Sequence, residues 1–529
     1  MENVVLVKIW GKPVGTIMWD AQRKRAIFSY DKEFISRGVD IAPLTASIHN
    51  PRYGLPFLGE TDRDIFSGLP AFIADSLPGG WGNAVYNAWV AEHHLSSKQI
   101  TPIDKLAFIR SRGMGALEFE PAIPIDENKD IALNDLYLRA KEILENREQV
   151  TANTQHLNMD VLYEVGTSAG GNHAKAVIAI NKKTGEIRSG QIHLSDDYTY
   201  YLLKFEEHEH YPLTRIEMAY YDMAQLCAIH MMPSQLIDIG SERHFLTERY
   251  DRQNGLKLHT QTLAAMMPDA SSYEDLMDVC LKLQLPYAEL EETYRRAVFN
   301  ILTTNVDAHI KNFSFMMREP TEQREPSELA QGWPSRDGGR RSQGGDWHIT
   351  PAYDLTFSCF NPGNKFDPAH YLSLNGKTMN VNANDLLTLG RIYNIKNPNA
   401  IIKECVDAVM EFRTIAARYG VSEPWIDKVE RHFAEMSPDL LSGLHGYKPH
   451  VFSFMLGDVH VEDAQWTEMG NGAMRLTARL NGQEFKATFS AKSPNGKLAI
   501  ERGGTKMAQE DLRQFVEDLF LPRYLERNK

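Results

Sequence analysis

Over the first thirty positions apolar residues alternate with polar ones. Val5, Val7 and Ile9 lead into Gly-Lys-Pro-Val-Gly at 11–15, and Ile17, Trp19, Ile27 and Tyr30 follow. A period of two broken by turn residues predicts a small antiparallel meander. Between 66 and 95, Gly and Pro punctuate a helical stretch, and after RGMGALEFEPA (112–122) an amphipathic helix is expected near Ile131–Leu144. A first domain is therefore placed at 1–122. Strand-like runs return at KAVIAI (175–180), YTYYLLKFE (198–206) and HFLTERYDR (244–252), with a helix, RIEMAYYDMAQLCAIH (215–230), between the last two. This sheet-rich stretch is assigned to 123–254. From about 255 the period lengthens: Leu276, Val279, Cys280 and Leu283 fall at helical spacing, and Leu290, Tyr294, Ala297, Val298 and Ile301 form a second stripe. Residues 255–444 are expected to be helical. Within them 318–346, rich in Pro, Gly, Ser, Arg and Glu, breaks all periodicity and is expected to be a mobile insertion. In the tail, 445–529, Leu476, Ala478 and Leu480 alternate into Asn481-Gly482, and Phe485, Ala487 and Phe489 alternate out, a hairpin signature. A closing helix is expected at 507–520.

Composition narrows the class. With 43% hydrophobic and 24% charged residues among 529, the chain is neither disordered nor collagenous. Its 4 cysteines show no CxxC pair and no metal-ligand spacing, which suits free thiols in a reducing compartment. No secretory signal and no apolar run of bilayer length is visible, so a soluble cytoplasmic protein with no membrane partner is expected. A net charge of −13 argues against non-specific nucleic-acid binding by this chain alone.

Three features carry chemistry. GTSAGGNHAK (166–175) runs into a strand, and its small residues leave backbone N–H groups free to face an anion. It lacks the GK[ST] of a Walker A motif, and a bare glycine-rich loop is more often a simple turn. Lys204 ends an apolar strand, where it could reach a phosphate as a point charge, and Glu217 on the next helix could hold it in place. The bland alternative is a strand-end lysine whose head reaches water. Asp307 and Asn312 are spaced D-x-x-x-x-N, and Asp354 follows in Ala-Tyr-Asp-Leu. Phosphoryl transfer needs a carboxylate to accept a hydroxyl proton and hard oxygen ligands for Mg²⁺ near the phosphates, and these three residues supply both. D-x-x-x-x-N is common by chance. The order of parts, glycine-rich loop, strand Lys, helix Glu, D-x-x-x-x-N and then Asp, points to an α+β chain with a bilobal protein-kinase-like fold: an N-terminal β-rich subdomain, a sheet-rich lobe, a helical lobe and an appended C-terminal β-rich segment.

Eight stretches together resemble the HipA-type family, the Ser/Thr kinase toxins of bacterial type II toxin–antitoxin modules: GLPAFIADSLPGGWGNA (68–84), RGMGALEFEP (112–121), GTSAGGNHAKAVIAIN (166–181), LLKFE (202–206), HFLTERYDR (244–252), LHTQTL (258–263), NVDAHIKNFSF (305–315) and PAYDLTFS (351–358). The resemblance implies ATP and Mg²⁺ as cofactors, Asp307 as proton acceptor, and Asn312 and Asp354 as metal ligands. It implies nucleotide contacts from Ala169, Gly170, Gly171, Asn172, His173, Lys175, Lys204, His309 and Lys311, and a hinge at Glu248 and Tyr250. It marks Thr167 and Ser168 as two candidates for autophosphorylation. Its implied partners are a small helix-turn-helix antitoxin of HipB type, through which alone DNA would be contacted, and a protein substrate such as an aminoacyl-tRNA synthetase or another translation factor. The chain departs from the family in Asn172-His173, where many relatives carry Ala-Arg, in the length of 318–346, and in the tail. A small-molecule phosphotransferase and a non-catalytic binding module that keeps the fold are the competing readings.

Overall fold

The N-terminal alternation becomes three antiparallel strands, β1 (Val4–Ile9), β2 (Lys12–Asp20) and β3 (Arg25–Tyr30), whose apolar positions Val5, Val7, Ile9, Ile17 and Phe28 are buried. The β1–β2 reversal is a two-residue turn at Trp10 (φ 49°) and Gly11 (φ 73°), not the 11–15 run that its Gly and Pro content suggests. Two left-handed residues match the twist of the flanking strands, and the Trp10 indole, bonded to the Lys257 carbonyl at 2.8 Å, fixes the turn. Pro13 stays within β2 beside a register shift, where a missing N–H is tolerated. Gly15 is required by close approach, because a Cβ there would lie 2.2 Å from the Ser29 carbonyl oxygen. Two short strands, β4 (Phe57–Leu58) and β5 (Leu117–Glu120), complete a sheet of order β4-β3-β2-β1-β5. The helical stretch expected at 66–95 is broken at Asp75–Gly79 into helices Ala71–Ala74 and Gly80–Glu92.

The second sheet has order β7-β6-β8-β10-β9, from β6 (Lys175–Asn181), β7 (Ile187–Ser189), β8 (Tyr198–Lys204), β9 (Ser234–Ile239) and β10 (Glu242–Glu248). Ala176, Val177, Ile178 and Ala179 in succession are fully buried, the mark of a strand covered on both faces. Helix Gly80–Glu92, through Trp81 and Val85, shares one apolar cluster with Ala176, Ile178 and Leu203. Helix Leu213–Leu226 packs on β9 and β10 and ends at Cys227, followed by Ala228 in the left-handed region (φ 54°).

The helical region carries the two expected stripes in helices Tyr273–Lys282 and Tyr287–Leu302, except that it does not begin at 255. Residues 252–262 form β11 (Arg252–Gln253), β12 (Leu256–Lys257) and β13 (His259–Thr262); β13 pairs with β14 (Ser314–Met317), which pairs with β15 (Trp347–Ile349). In β13 the buried positions are His259 and Gln261, so the strand alternates in burial without alternating in hydropathy. One core joins apolar residues of 5–119 with those of 211–441. Residues Met1–His445 accordingly form one compact unit, and Gly446–Lys529 a second.

The second unit holds a five-stranded antiparallel meander, β16 (Phe452–Leu456), β17 (Val459–Glu468), β18 (Ala473–Leu480), β19 (Gln483–Ser490) and β20 (Leu498–Gly503). Leu480 pairs with Gln483, which gives the hairpin a two-residue connection. This computed structural model describes residues 4–50, 55–62, 64–92, 100–121, 131–145, 166, 170–207, 211–253, 255–320, 346–359, 369–441, 452–456, 459–468, 473–480, 483–490 and 498–503. The expected helix at 507–520, residues 321–345 of the expected insertion, and Thr167, Ser168 and Ala169 lie outside them. Among the described residues no helix is long and apolar enough to cross a membrane.

Candidate active site

Strand register brings two lysines face to face. Lys175 opens β6 and Lys204 closes β8, and they are direct cross-strand partners, so their side chains leave the same face of the sheet. Both are buried. Lys204 Nζ lies 2.5 Å from Glu217 Oε1 and 2.6 Å from Asp354 Oδ1. Burial disfavours its charge, but the two carboxylates outweigh that and hold it protonated, well above the usual lysine range. Burial also opposes ionisation of Asp354, yet Lys204 and Lys175 keep its carboxyl far below the usual carboxylate range. Glu217 moves the other way: burial raises it, and the Asp354 charge adds to that. Among the described residues no carboxylate forms an ion pair with Lys175. Its Nζ donates to the Gly170 carbonyl at 2.6 Å, and burial, with the repulsion of Lys204, lowers it to about 8.

The glycine-rich loop stands beside this cluster. Gly171 adopts φ 90°, open to glycine alone at little cost, and the N–H groups of Gly171 and His173 bond to none of the described residues. The Ala174 N–H is taken by Glu207, which also lies 3.6 Å from His173 Nδ1. The His173 side chain acts on the charges of Asp307, Asp354 and Glu217, so the loop, the catalytic-loop candidate and the ion cluster share one electrostatic neighbourhood.

Asp307 is exposed in the turn that follows helix Tyr287–Leu302. Partial desolvation raises its carboxyl above the usual value and Asp354 adds to this, while His309 and His173 oppose it. Its position is set from behind by residues that the sequence reading did not single out. The Asp307 N–H donates to Ser358 Oγ at 3.0 Å, and the Ser358 hydroxyl donates to Asn305 Oδ1 at 3.2 Å. Asn305 Nδ2 reaches Asn300 Oδ1 at 3.0 Å and the Asp354 carbonyl at 3.4 Å. The buried Asn305 amide thus ties the Asp307 turn to the Asp354 segment. Asp354 has φ 57°, a conformation that Asp adopts more readily than most residues. Asn312 Nδ2 donates to the Asp307 carbonyl at 3.3 Å, which leaves the amide oxygen with no donor among the described residues.

The remaining expected residues fall further out. His309 accepts from the Lys311 N–H at 3.2 Å and packs edge-on against Tyr371. The Lys311 ammonium acts on Asp75, whose carboxylate holds the N–H and hydroxyl of Thr262 at 2.7 and 2.8 Å. The Glu248 N–H is occupied by the Pro233 carbonyl at 3.0 Å. Tyr250 is buried and stacks on Tyr353 (6.0 Å, 19°), the neighbour of Asp354.

Flanking Tyr250 in sequence, Arg249 and Arg252 close on the fully buried Asp251 at 2.8 and 2.7 Å. Asp251 also accepts from the Gly115 N–H at 2.7 Å, and Arg252 donates to the carbonyls of Gly113 and Gly115. The 112–116 and 249–252 motifs, far apart in sequence, therefore clamp each other. Polar residues without periodicity give no sequence signal for such a contact.

Among the described residues no group of three or more His, Cys, Asp or Glu could hold a metal. The donor set fits a hard dication bound by few protein ligands: the ionised Asp354 and the Asn312 amide oxygen, with the remaining positions left to phosphate oxygens and water.

The HipA N-terminal domain model matches residues 5–120, and the HipA-like C-terminal domain model matches residues 167–332. Among solved structures, a chain of the HipA, HipB and operator DNA complex from the toxin–antitoxin system of Shewanella oneidensis MR-1 aligns at TM-score 0.53 and 16% identity, covering 84% of this chain and 100% of that one. No curated protein sequence matches the chain significantly.

Proposed function

The chain belongs to the HipA-type family, and on that premise we propose that it is an ATP- and Mg²⁺-dependent protein Ser/Thr kinase of bilobal, kinase-like architecture that serves as the toxin of a toxin–antitoxin module. The observation that carries this reading is the Lys204–Glu217–Asp354 ion cluster joined through Asn305 to the turn bearing Asp307. Lys204, anchored by Glu217, meets the nucleotide phosphates as a fixed cation. Asp354 and the Asn312 amide oxygen would hold the magnesium ion, which when bound neutralises charge on the β- and γ-phosphate oxygens. The substrate hydroxyl oxygen forms a bond to the γ-phosphorus, the bond from that phosphorus to the β–γ bridging oxygen breaks, and the hydroxyl proton passes to the Asp307 carboxylate. A raised Asp307 is the better base for that transfer. Its exposure leaves room for a protein substrate.

The reading extends to a cytoplasmic protein that phosphorylates a translation factor such as an aminoacyl-tRNA synthetase. Its partner would be a HipB-like antitoxin that carries the DNA contacts. One structural neighbour belongs to a HipA–HipB–DNA complex, and the −13 net charge suits a chain that leaves DNA to its partner.

The test is transfer of labelled γ-phosphate by purified protein, offered protein extract and small metabolites separately. Asp307→Asn should cut transfer by about 10²–10⁴-fold and leave nucleotide binding in place. Induced expression should arrest growth for the wild type and not for the variant. Label that goes only to metabolites, or a variant that transfers as fast as wild type, overturns the proposal.

A further inference from the structure

The 68–84 motif has no part in the chemistry above, yet its turn lies against the glycine-rich loop. The Trp81 N–H donates to the Gly171 carbonyl at 3.1 Å, and the Trp81 indole N–H donates to the Lys175 carbonyl at 2.8 Å. One fully buried residue thus grips the loop at both ends of 171–175. The contact is too close for side chains. A Cβ on Gly79 would lie 2.3 Å from the Gly171 nitrogen, and one on Gly80 would lie 2.0 Å from Asn172 Oδ1.

The turn is itself braced. Asn83 Nδ2 donates to the carbonyls of Pro78 and Gly79 at 2.9 and 3.0 Å, and Lys105 Nζ holds Asn83 Oδ1 at 2.8 Å. Behind it, helix Gly80–Glu92 is packed into the cluster that contains β6 and β8. A stiff element therefore meets the loop, alongside the Lys175 bond to Gly170, the Ala174 bonds to Glu207 and Phe205, and the His173–Glu207 pair.

We propose that the Gly79–Gly80–Trp81 turn is a positioning latch that keeps Gly170–Lys175 in the conformation that receives nucleotide phosphates. ATP affinity is then set from the N-terminal segment, by residues that never touch the nucleotide. The inference rests on reading this loop as the phosphate site.

Two variants of the full chain test it. Trp81→Phe keeps an aromatic ring, removes the indole N–H and leaves a small cavity where the second ring was. A bond of this kind is worth a factor of roughly 2–10, so KM for ATP should rise by about that factor while kcat falls less. Gly79→Ala drives a methyl group into the loop backbone and should raise KM more than tenfold, by the same reasoning about sub-contact distances. Hydrogen–deuterium exchange of 170–175 in nucleotide-free protein is the second readout, and it should speed up in both variants. It decides the case even where wild-type protein fails to turn over ATP, an outcome that would sink the kinase proposal and not the latch. If Gly79→Ala does not fold, Trp81→Phe decides. Unchanged exchange at 170–175 in the folded variants overturns the inference, as does a fall in kcat with no change in KM.

Discussion

Two ionic triads lie in the same compact unit and carry opposite excess charge. Arg249–Asp251–Arg252 has two cations to one anion, and none of its side chains is more than 6% exposed. Lys204–Glu217–Asp354 has one cation to two anions, and the Asp354 side chain is 33% exposed. In the first, the surplus positive charge is spread over backbone carbonyls at Gly113, Gly115 and Gly190, and no group is left to meet a ligand. In the second, Asp354 is held ionised by Lys204 and Lys175 at an open edge, where it can also meet an added cation. Like ingredients thus make a clamp in one place and a site in the other. What separates them is whether one of the charges faces solvent.

The comparison can be broken at its strongest point by Asp251→Ala. That change strips the counter-charge from two buried guanidiniums and leaves the Gly115 N–H without its acceptor. Breaking a buried pair of this kind costs about 3–5 kcal/mol, to be read from denaturant unfolding. A loss below about 1 kcal/mol would mean that this triad is no clamp.

Asp354→Asn should show the opposite profile. Phosphoryl transfer should fall by about 10²–10³-fold, the size expected when one charge-stabilising group is lost from a transition state. Stability should fall by about 1–2 kcal/mol, less than for Asp251→Ala: a carboxylate held below its usual range is lost, but its side chain is part-exposed, Lys204 and Glu217 remain as a neutral pair, and Asn also adopts left-handed backbone readily. Equal destabilisation by the two variants would erase the distinction drawn here.

A third cluster is half sealed. His348 lies 2.7 Å from the buried Glu289 and 3.4 Å from the exposed Asp346. Burial opposes its protonation, but hydrogen bonds and charge from Asp346 and Glu289 raise it to about 9. A histidine raised on folding contributes stability that is complete below its unfolded value near 6.5 and lost as pH rises through about 9. With the exposed Asp346 side discounted, the contribution is on the order of 1–2 kcal/mol. Unfolding at pH 6 and pH 9.5 should differ by that amount between wild type and His348→Gln. No pH-dependent difference between the two would place His348 outside any ionic cluster.

Much of this arrangement can be read along the chain. The runs at 175–180, 198–206 and 244–252 become β6, β8 and β10 because each is a short apolar stretch bounded by turn residues, and most of the buried positions of these strands are apolar, Lys175, Lys204 and His244 excepted. Strand β13 escapes the same reasoning because its buried residues are His259 and Gln261, held by the Ile41 carbonyl rather than by an apolar surface. The β1–β2 turn escapes it too: the Gly and Pro content points to 11–15, and a contact 247 residues away settles it at Trp10–Gly11.

The sequence by itself determined the residue types proposed for the chemistry, Lys204, Glu217, Asp307, Asn312 and Asp354, because charge and hydrogen-bonding capacity belong to the side chain wherever it lies. It also determined the local elements that carry them, because hydrophobic period is a property of neighbouring positions. Only the tertiary structure decided which of them meet. Strand register sets Lys175 opposite Lys204, and the Asn305–Ser358 bridge fixes the Asp307 turn to Asp354 across 49 and 53 residues of chain. Trp81 reaches Lys175 across 94 residues, and Asp251 reaches Gly115 across 136. A hydrogen bond is specified by distance and angle to one partner atom, and no periodic pattern encodes that partner, so these bonds appear only when the core has brought the segments together.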